Sequence, residues 1–126
     1  MELPLNWDHR TVSEFSIERK TLASYELPGA PSFAAVEVQR ITIAANIHPG
    51  AHWHNGPVFG VIEAGSVFFT AGAESERVLR AGDTFYEPGN ETITRFDATD
   101  EGVTFLTWLP LAAGIRPEVT MGELPS

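Results

Sequence analysis

Residues Pro49–Gly65 read PGAHWHNGPVFGVIEAG, and the reading of this stretch decides the fold. With His48 just before it, the stretch holds three of the chain's four histidines. Pro49-Gly50, Asn55-Gly56-Pro57 and Ala64-Gly65 are turn formers, and Val58–Ile62 between the last two is an apolar strand candidate. His52 and His54 are separated by one residue. In an extended segment that spacing puts both imidazoles on one face, about 6–7 Å apart along the strand. Trp53, between them, faces the opposite side. Two imidazoles side by side on one strand begin a metal site. The alternative is a polar strand end whose histidines only form hydrogen bonds.

On either side of this stretch the β signal continues. Ala35–Ile47 (AVEVQRITIAANI) carries β-branched residues in alternation. Beyond Gly65, Ser66–Thr70 (SVFFT) returns, Ala71–Glu76 is a polar hairpin tip, and Arg77–Arg80 follows. Ala81-Gly82-Asp83 turns into Thr84–Glu87, and Pro88-Gly89-Asn90 turns again. Ile93–Phe96 is extended, Asp97–Gly102 reads as a polar loop, and Val103–Leu109 (VTFLTWL) is the last strong strand. From Pro110 the tail reads as irregular. Toward the N-terminus, Leu27-Pro28-Gly29-Ala30-Pro31 is a firm turn. Trp7–Arg10 reads as a loop with His9 at the surface, and Ser13–Glu18 fits one turn of helix or an edge strand. Short strands with turn signals about every 8–12 residues, and almost no helical period, predict an all-β sandwich or barrel. The whole chain, 1–126, is expected to form one domain: a barrel core over 36–109, an arm over 1–35 and a tail over 110–126.

Composition narrows the function classes. A chain of 126 residues with 43% apolar content suits one packed domain. No apolar run reaches the roughly 18 residues of a membrane span, and MELPLNWDHRTVSEF lacks the basic-then-apolar order of a signal peptide. The absence of cysteine removes disulfides, thiolate ligands and a cysteine nucleophile, and fits a cytoplasmic location. A net charge of −9, from 17 acids and 8 bases without a basic run, argues against nucleic acid as a partner. No glycine lies in a strand–loop–helix phosphate site, and no Ser-His-Asp order or Gly-x-Ser-x-Gly elbow is present.

These motifs together resemble those of a small single-domain cupin, a β-barrel of the jelly-roll kind. The family's first motif, G-x5-H-x-H-x3,4-E-x6-G, is met by Gly50, His52, His54 and Gly65, with a shorter spacing from glycine to histidine. Gly82 to Pro88 fits the first half of the second motif, G-x5-P-x-G-x2-H-x3-N. The resemblance covers Val36 to Leu109. It also shows where this chain departs: the motif glutamate falls on Val58, the second-motif histidine on Ile93 and the asparagine on Asp97. The resemblance implies one divalent transition metal, such as Fe, Zn, Mn or Ni, with no organic cofactor. Two remaining protein ligands would hold such an ion weakly or not at all. It also implies a small-molecule substrate or ligand in the barrel and a homodimer paired through edge strands.

Two repairs of the site are open. A carboxylate from elsewhere can complete a 2-His-1-carboxylate set. Glu87 is the first candidate, because in cupins its strand lies beside the metal strand; its alternative is an exposed strand-end acid. His48 could also contribute, while alternation from Val58 turns Gly60 and Ile62 inward and Glu63 outward. Otherwise the site works without metal: His52 and His54 in an apolar pocket stay neutral and serve as general acid or base. Tyr86, Glu87 and Arg95 could then act as acid, base or anion clamp, with Arg95 inward by its alternation with Ile93. Three functions follow. One is an acid–base lyase, dehydratase, isomerase or cyclase, with His52, His54 and Glu87 catalytic and Tyr86, Arg95 and His48 binding substrate. Another is an oxygenase with metal on His52, His54 and Glu87. The last is a non-catalytic small-ligand binder. Phe68, Phe69, Phe85, Phe105 and Trp108 read as core or barrel wall.

Overall fold

The structure, a computed structural model, describes residues 16–125. The segment Trp7–Arg10, with His9, and part of Ser13–Glu18 lie outside the described residues. The alternating segments form seven strands: β1 Ala35–Ile43, β2 His52–His54, β3 Val58–Ala71, β4 Arg77–Arg80, β5 Thr84–Glu87, β6 Ile93–Leu111 and β7 Val119–Met121. All pairings are antiparallel. No helix among the described residues is long and apolar enough to cross a membrane.

The two long strands, β3 and β6, organise everything else, because each is shared between two layers. In the first layer the order is β5, the start of β3, the end of β6, and β1. In the second it is β4, the end of β3, the start of β6, β2 and β7. Both strands bend at the same level. Gly65 pairs with Val103 and Val67 with Ala98, so residues 99–102 of β6 bulge opposite Ser66. The extra residues bend and twist the ladder, which lets one sheet become two facing layers. Gly65 has φ +73°, and a Cβ there would fall on the Gly102 carbonyl. Hence Ala64-Gly65 and Asp97–Gly102, expected as a turn and a loop, lie inside continuous strands, with Asp97 and Ala98 in register and only residues 99–102 forming the second bulge. The polar residues of the second bulge satisfy one another: the Thr99 hydroxyl lies 2.6 Å from the buried Ser66 hydroxyl and accepts from the Glu101 backbone N–H.

Alternation sends one face of each layer inward. Val58, Ile62, Phe85 and Phe105 come from the first layer and Val67, Phe69, Ile93 and Phe96 from the second, all buried. Four phenylalanines meet across the gap, Phe85 touching Phe69, Phe96 and Phe105 at centroid distances of 5.9, 5.3 and 5.8 Å. Phe68 is half-buried on the other face, and Trp108, expected in the core or wall, is 37% exposed beside Val38. The tail also departs from expectation. Val119–Met121 is a strand on the free edge of β2, pairing Val119 with His54 and Met121 with His52.

Candidate functional site

His52 and His54 come from β2 in the second layer, and Glu87 ends β5 in the first. β2 is short, but it is clamped between β6 and β7, where His52 faces Ile93 and Met121. On β5, alternation buries Phe85 and Glu87 and leaves Thr84 and Tyr86 on the outer face. The three side chains meet across the interior. The ring N–H at His52 Nε2 donates to Glu87 Oε1 at 3.2 Å, and that at His54 Nε2 to the same oxygen at 2.9 Å. The rings are edge to face with centroids 5.1 Å apart. Across the group, one ligand atom from each of the three residues lies within 4.8 Å of the others.

Glu87 is only 3% exposed. Burial, the largest influence, pushes its carboxyl up, but hydrogen bonds from His52 and His54 and the charge they can carry hold it below its ordinary value. For His52, burial lowers the ring, and the hydrogen bond and charge of Glu87 outweigh it to leave the net direction upward. The Gly50 carbonyl adds to that direction, accepting from His52 Nδ1 at 3.4 Å. The same contact suits metal binding: with a proton held at Nδ1, loss of the Nε2 proton would free that nitrogen to face an ion, and a backbone acceptor on the far nitrogen is the usual partner of a ligating histidine. Two imidazole nitrogens and one carboxylate oxygen, converging on one point, could therefore hold a divalent transition metal.

The register explains how Glu87 reaches the site. Val58, where the cupin motif has its glutamate, is the direct cross-strand partner of Glu87. A carboxylate thus stands one strand over from the motif position. Ile93, where the second cupin motif has its histidine, is fully buried beside His52. At the last glycine of the second motif stands Asn90, whose φ of +56° keeps the left-handed turn. So Glu87 reaches the histidines across the interior, from a strand paired with β3 and not with β2.

A cavity of about 170 Å³ adjoins the three residues. Ile41, Val58, Phe96, Phe105, Leu109 and Met121 give it an apolar wall, with Gln39 and Thr107 set into it. The other sequence candidates lie elsewhere. Tyr86 points outward, stacked on Phe59 at 5.1 Å, and lines a separate cleft of about 560 Å³ that contains no histidine. Its hydroxyl is pushed up by burial and by Glu91. Arg95 does not point inward: Thr70 pairs with Arg95 and Ala71 with Ile93, so Thr94 is an extra residue that reverses the alternation. It bonds Asp97 at 2.9 Å, pairs with Glu76 and lies 4.2 Å from the Phe68 ring. His48 is exposed and outside the cavity wall. Glu63 is outward as expected and holds Arg40 at 2.8 Å. Val119 and Met121 were missed, since a three-residue exposed strand offers no pattern to read.

No family model matches the chain, and no curated protein matches it in sequence. Solved structures match in fold. The DMSP lyase DddQ from Ruegeria pomeroyi DSS-3 superposes with a TM-score of 0.58 at 18% identity, over 66% of this chain and 42% of that one. An oxalate oxidase in complex with the substrate analogue glycolate gives 0.58 at 18% identity, over 68% and 45%. A salicylate 1,2-dioxygenase from Pseudaminobacter salicylatoxidans gives 0.53 at 13% identity, over 60% and 21%. The chain thus spans less than half the length of these enzymes. Identities this low carry the fold alone, and that fold is the cupin jelly roll.

Proposed function

We propose that this chain is a metal-dependent cupin enzyme in which His52, His54 and Glu87 hold one divalent transition ion and a small organic molecule reacts in the adjoining cavity. One observation carries the proposal: both Nε2 atoms converge on a single, almost fully buried carboxylate oxygen. Three protein donors are the count of a catalytic site, which keeps positions open, and not of a closed structural one. When bound, the ion supplies Lewis-acid or oxygen chemistry. Glu87 contributes the negative charge that offsets a dication, and the Gly50 carbonyl fixes the His52 tautomer. Val58, Leu109 and Phe96 line the cavity side of the group with apolar surface.

The cavity's own chemistry favours an oxygenase over an acid–base enzyme. Outside the three donors, its polar lining consists of Gln39 and Thr107, neither of which titrates. Tyr86, Arg95 and His48 lie outside it. With the donors committed to an ion, no side chain of the described cavity wall remains to carry a proton. The metal-free alternative, with His52 and His54 as acid and base, keeps one observation in its favour: Glu87 already orients both rings. Metal content separates the two. Protein purified without chelator or affinity nickel should hold about one equivalent of iron, manganese, zinc or nickel, and the His52→Ala/His54→Ala double variant none. Absence of metal from the unaltered protein would transfer the assignment to acid–base chemistry. Val36, Val38 and Trp108, exposed on the outer face of the first layer, support pairing of two copies, which light scattering would detect.

A further inference from the structure

The two strands that carry the donors do not pair with each other, so their separation must be set elsewhere. β2 belongs to the second layer and β5 to the first, and β2 meets β6 at a single pair, His52 with Ile93. The link lies just beyond the donors, between the turns Asn55-Gly56-Pro57 and Pro88-Gly89-Asn90. The Asn90 backbone N–H donates to the His54 carbonyl at 2.8 Å. Beside it, a Cβ on Gly89 would stand 2.7 Å from the Gly56 Cα and carbonyl carbon and 3.0 Å from the Pro57 nitrogen. All three are backbone atoms, which no rotamer change moves aside. Gly89 does not have a positive φ, so the contact alone demands glycine there. Gly56 is two residues past His54, and Gly89 two residues past Glu87. The arms between are stiff, because Pro88 fixes its own φ and biases Glu87 to the extended state, while Pro57 restricts Gly56. Asn55 is tied from the far side: its Nδ2 donates to the Arg116 carbonyl at 2.9 Å, and its Oδ1 accepts from the Glu118 N–H at 3.0 Å.

We propose that Gly89 is a positioning residue, whose contact with Gly56 sets the distance between His54 and Glu87 and so the geometry of the metal site. This deepens the metal assignment and rests on it for the effect on an ion. The magnitudes decide the point. A side chain at position 89 would have to retreat by about 0.7 Å to pass from 2.7 Å to ordinary contact at 3.4 Å. A donor constellation works only within about 0.5 Å of its productive geometry, and metal–ligand distances hold to about 0.2 Å. The retreat would run outward, because both turns line the separate cleft of about 560 Å³, which gives them room on that side. Opening there draws Glu87 Oε1 away from the 2.9 Å bond that it accepts from His54 Nε2. In the second cupin motif, position 89 is the unspecified residue between the proline and the last glycine. The demand for glycine therefore arises from this chain's own pair of turns.

The test uses the full chain, metal-free and with zinc, in three forms: unaltered, Gly89→Ala, and Leu79→Ala as a control that truncates the core on β4. In the metal-free protein the two imidazole Nε2–H signals held by Glu87 should be seen by NMR, be lost or shifted in Gly89→Ala, and persist in Leu79→Ala. Zinc affinity by calorimetry should fall at least about tenfold in Gly89→Ala, the lower bound for loss of an outer partner at a metal site. In Leu79→Ala it should stay within about twofold, as for distant sites. A folded Gly89→Ala protein that keeps both signals and its zinc affinity would overturn the proposal. The unaltered protein supplies a reading that needs no variant to fold. Coupling is reciprocal, so zinc should slow hydrogen exchange at the Asn90 amide by about tenfold or more. The Gly82 amide, which bonds the Ile62 carbonyl at 2.9 Å before the start of β5, should change by less than about twofold. Equal slowing at both amides, or none at Asn90, would overturn the proposal as well. If zinc does not bind the unaltered protein but Gly89→Ala loses the two signals, the metal site falls and the positioning role stands. If zinc binds and Gly89→Ala changes nothing, the positioning role alone falls.

Discussion

The space between the two layers is filled at one end and open at the other. At the filled end Phe69, Phe85, Phe96 and Phe105 pack in tilted and edge-to-face pairs with centroids 4.9–5.9 Å apart. At the open end the same strands offer Val58, Leu109, Thr107 and Glu87, and the gap between them stays a cavity. Phe85 and Glu87 stand two residues apart on one strand and face the same interior. One closes the core and the other serves the site. The fold needs only the first half to be dense, which leaves the second free to carry buried polar groups.

The largest effect should come from the filled end. Phe85→Ala should cost about 3–5 kcal/mol in urea unfolding, because the ring also fills the space over Gly60, and its loss leaves a void that cannot collapse. Leu109→Ala, at the rim of the open end, should cost about 2 kcal/mol, the low end of the range for leucine, since its cavity side already lacks packing partners. Equal costs for the two variants would mean that the open end is packed as tightly as the core.

Metal affinity comes next. Glu87→Gln keeps the shape and an oxygen that can accept from both imidazoles, so the fold should survive with its circular dichroism unchanged. Zinc binding by calorimetry should fall by more than the roughly 10–100-fold that loss of an outer hydrogen-bond partner costs at a metal site. Retained affinity would remove Glu87 from the ligand set and turn attention back to two histidines alone.

The filled end was the more legible in the sequence, for a physical reason. Alternation over Thr84–Glu87 and Val58–Ile62 fixes which side chains face inward as long as the ladder is regular. It therefore placed Ile62 and Glu63, while Phe85 was legible only as core or wall and Glu87 came forward from the cupin resemblance, through the place of its strand beside the metal strand. Where a bulge intervenes, parity fails. The extra residue Thr94 turned Arg95 out of the interior, and residues 99–102 hid a continuous strand behind a loop-like composition. The motif pattern located His52 and His54 but not their third partner, because the exchange between Val58 and Glu87 is a cross-strand relation that no linear spacing records. β7 was invisible for a similar reason, its strand state being set by the free edge of β2.

A smaller effect should appear in the pH dependence of metal-free stability. His52 titrates above its ordinary value of 6.5, so its contribution is complete below that pH and is lost as pH rises through the raised folded value. Glu87 titrates below its ordinary 4.5, so its contribution is complete above that pH and is lost as pH falls through the lowered folded value. The open end should thus be most stable between pH 4.5 and 6.5, read from urea midpoints. Glu87→Gln should flatten both flanks, whereas Phe85→Ala should lower the curve without changing its shape.

The smallest effect sharpens the comparison most. At the open end, Thr107→Val should raise stability by about 1 kcal/mol, because a methyl replaces a buried hydroxyl that has no partner among the described residues. For a chain of 126 residues that is a rise of roughly 3–6 °C in Tm. The reverse substitution at the filled end, Val67→Thr, should destabilise by about 1–3 kcal/mol, since the new hydroxyl would be buried among apolar side chains. Because the two exchanges are the reverse of each other, a gain at 107 and a loss at 67 would show that both positions favour the methyl and that the fold does not need the Thr107 hydroxyl. Loss at both would place Thr107 in the scaffold and end the distinction at that residue.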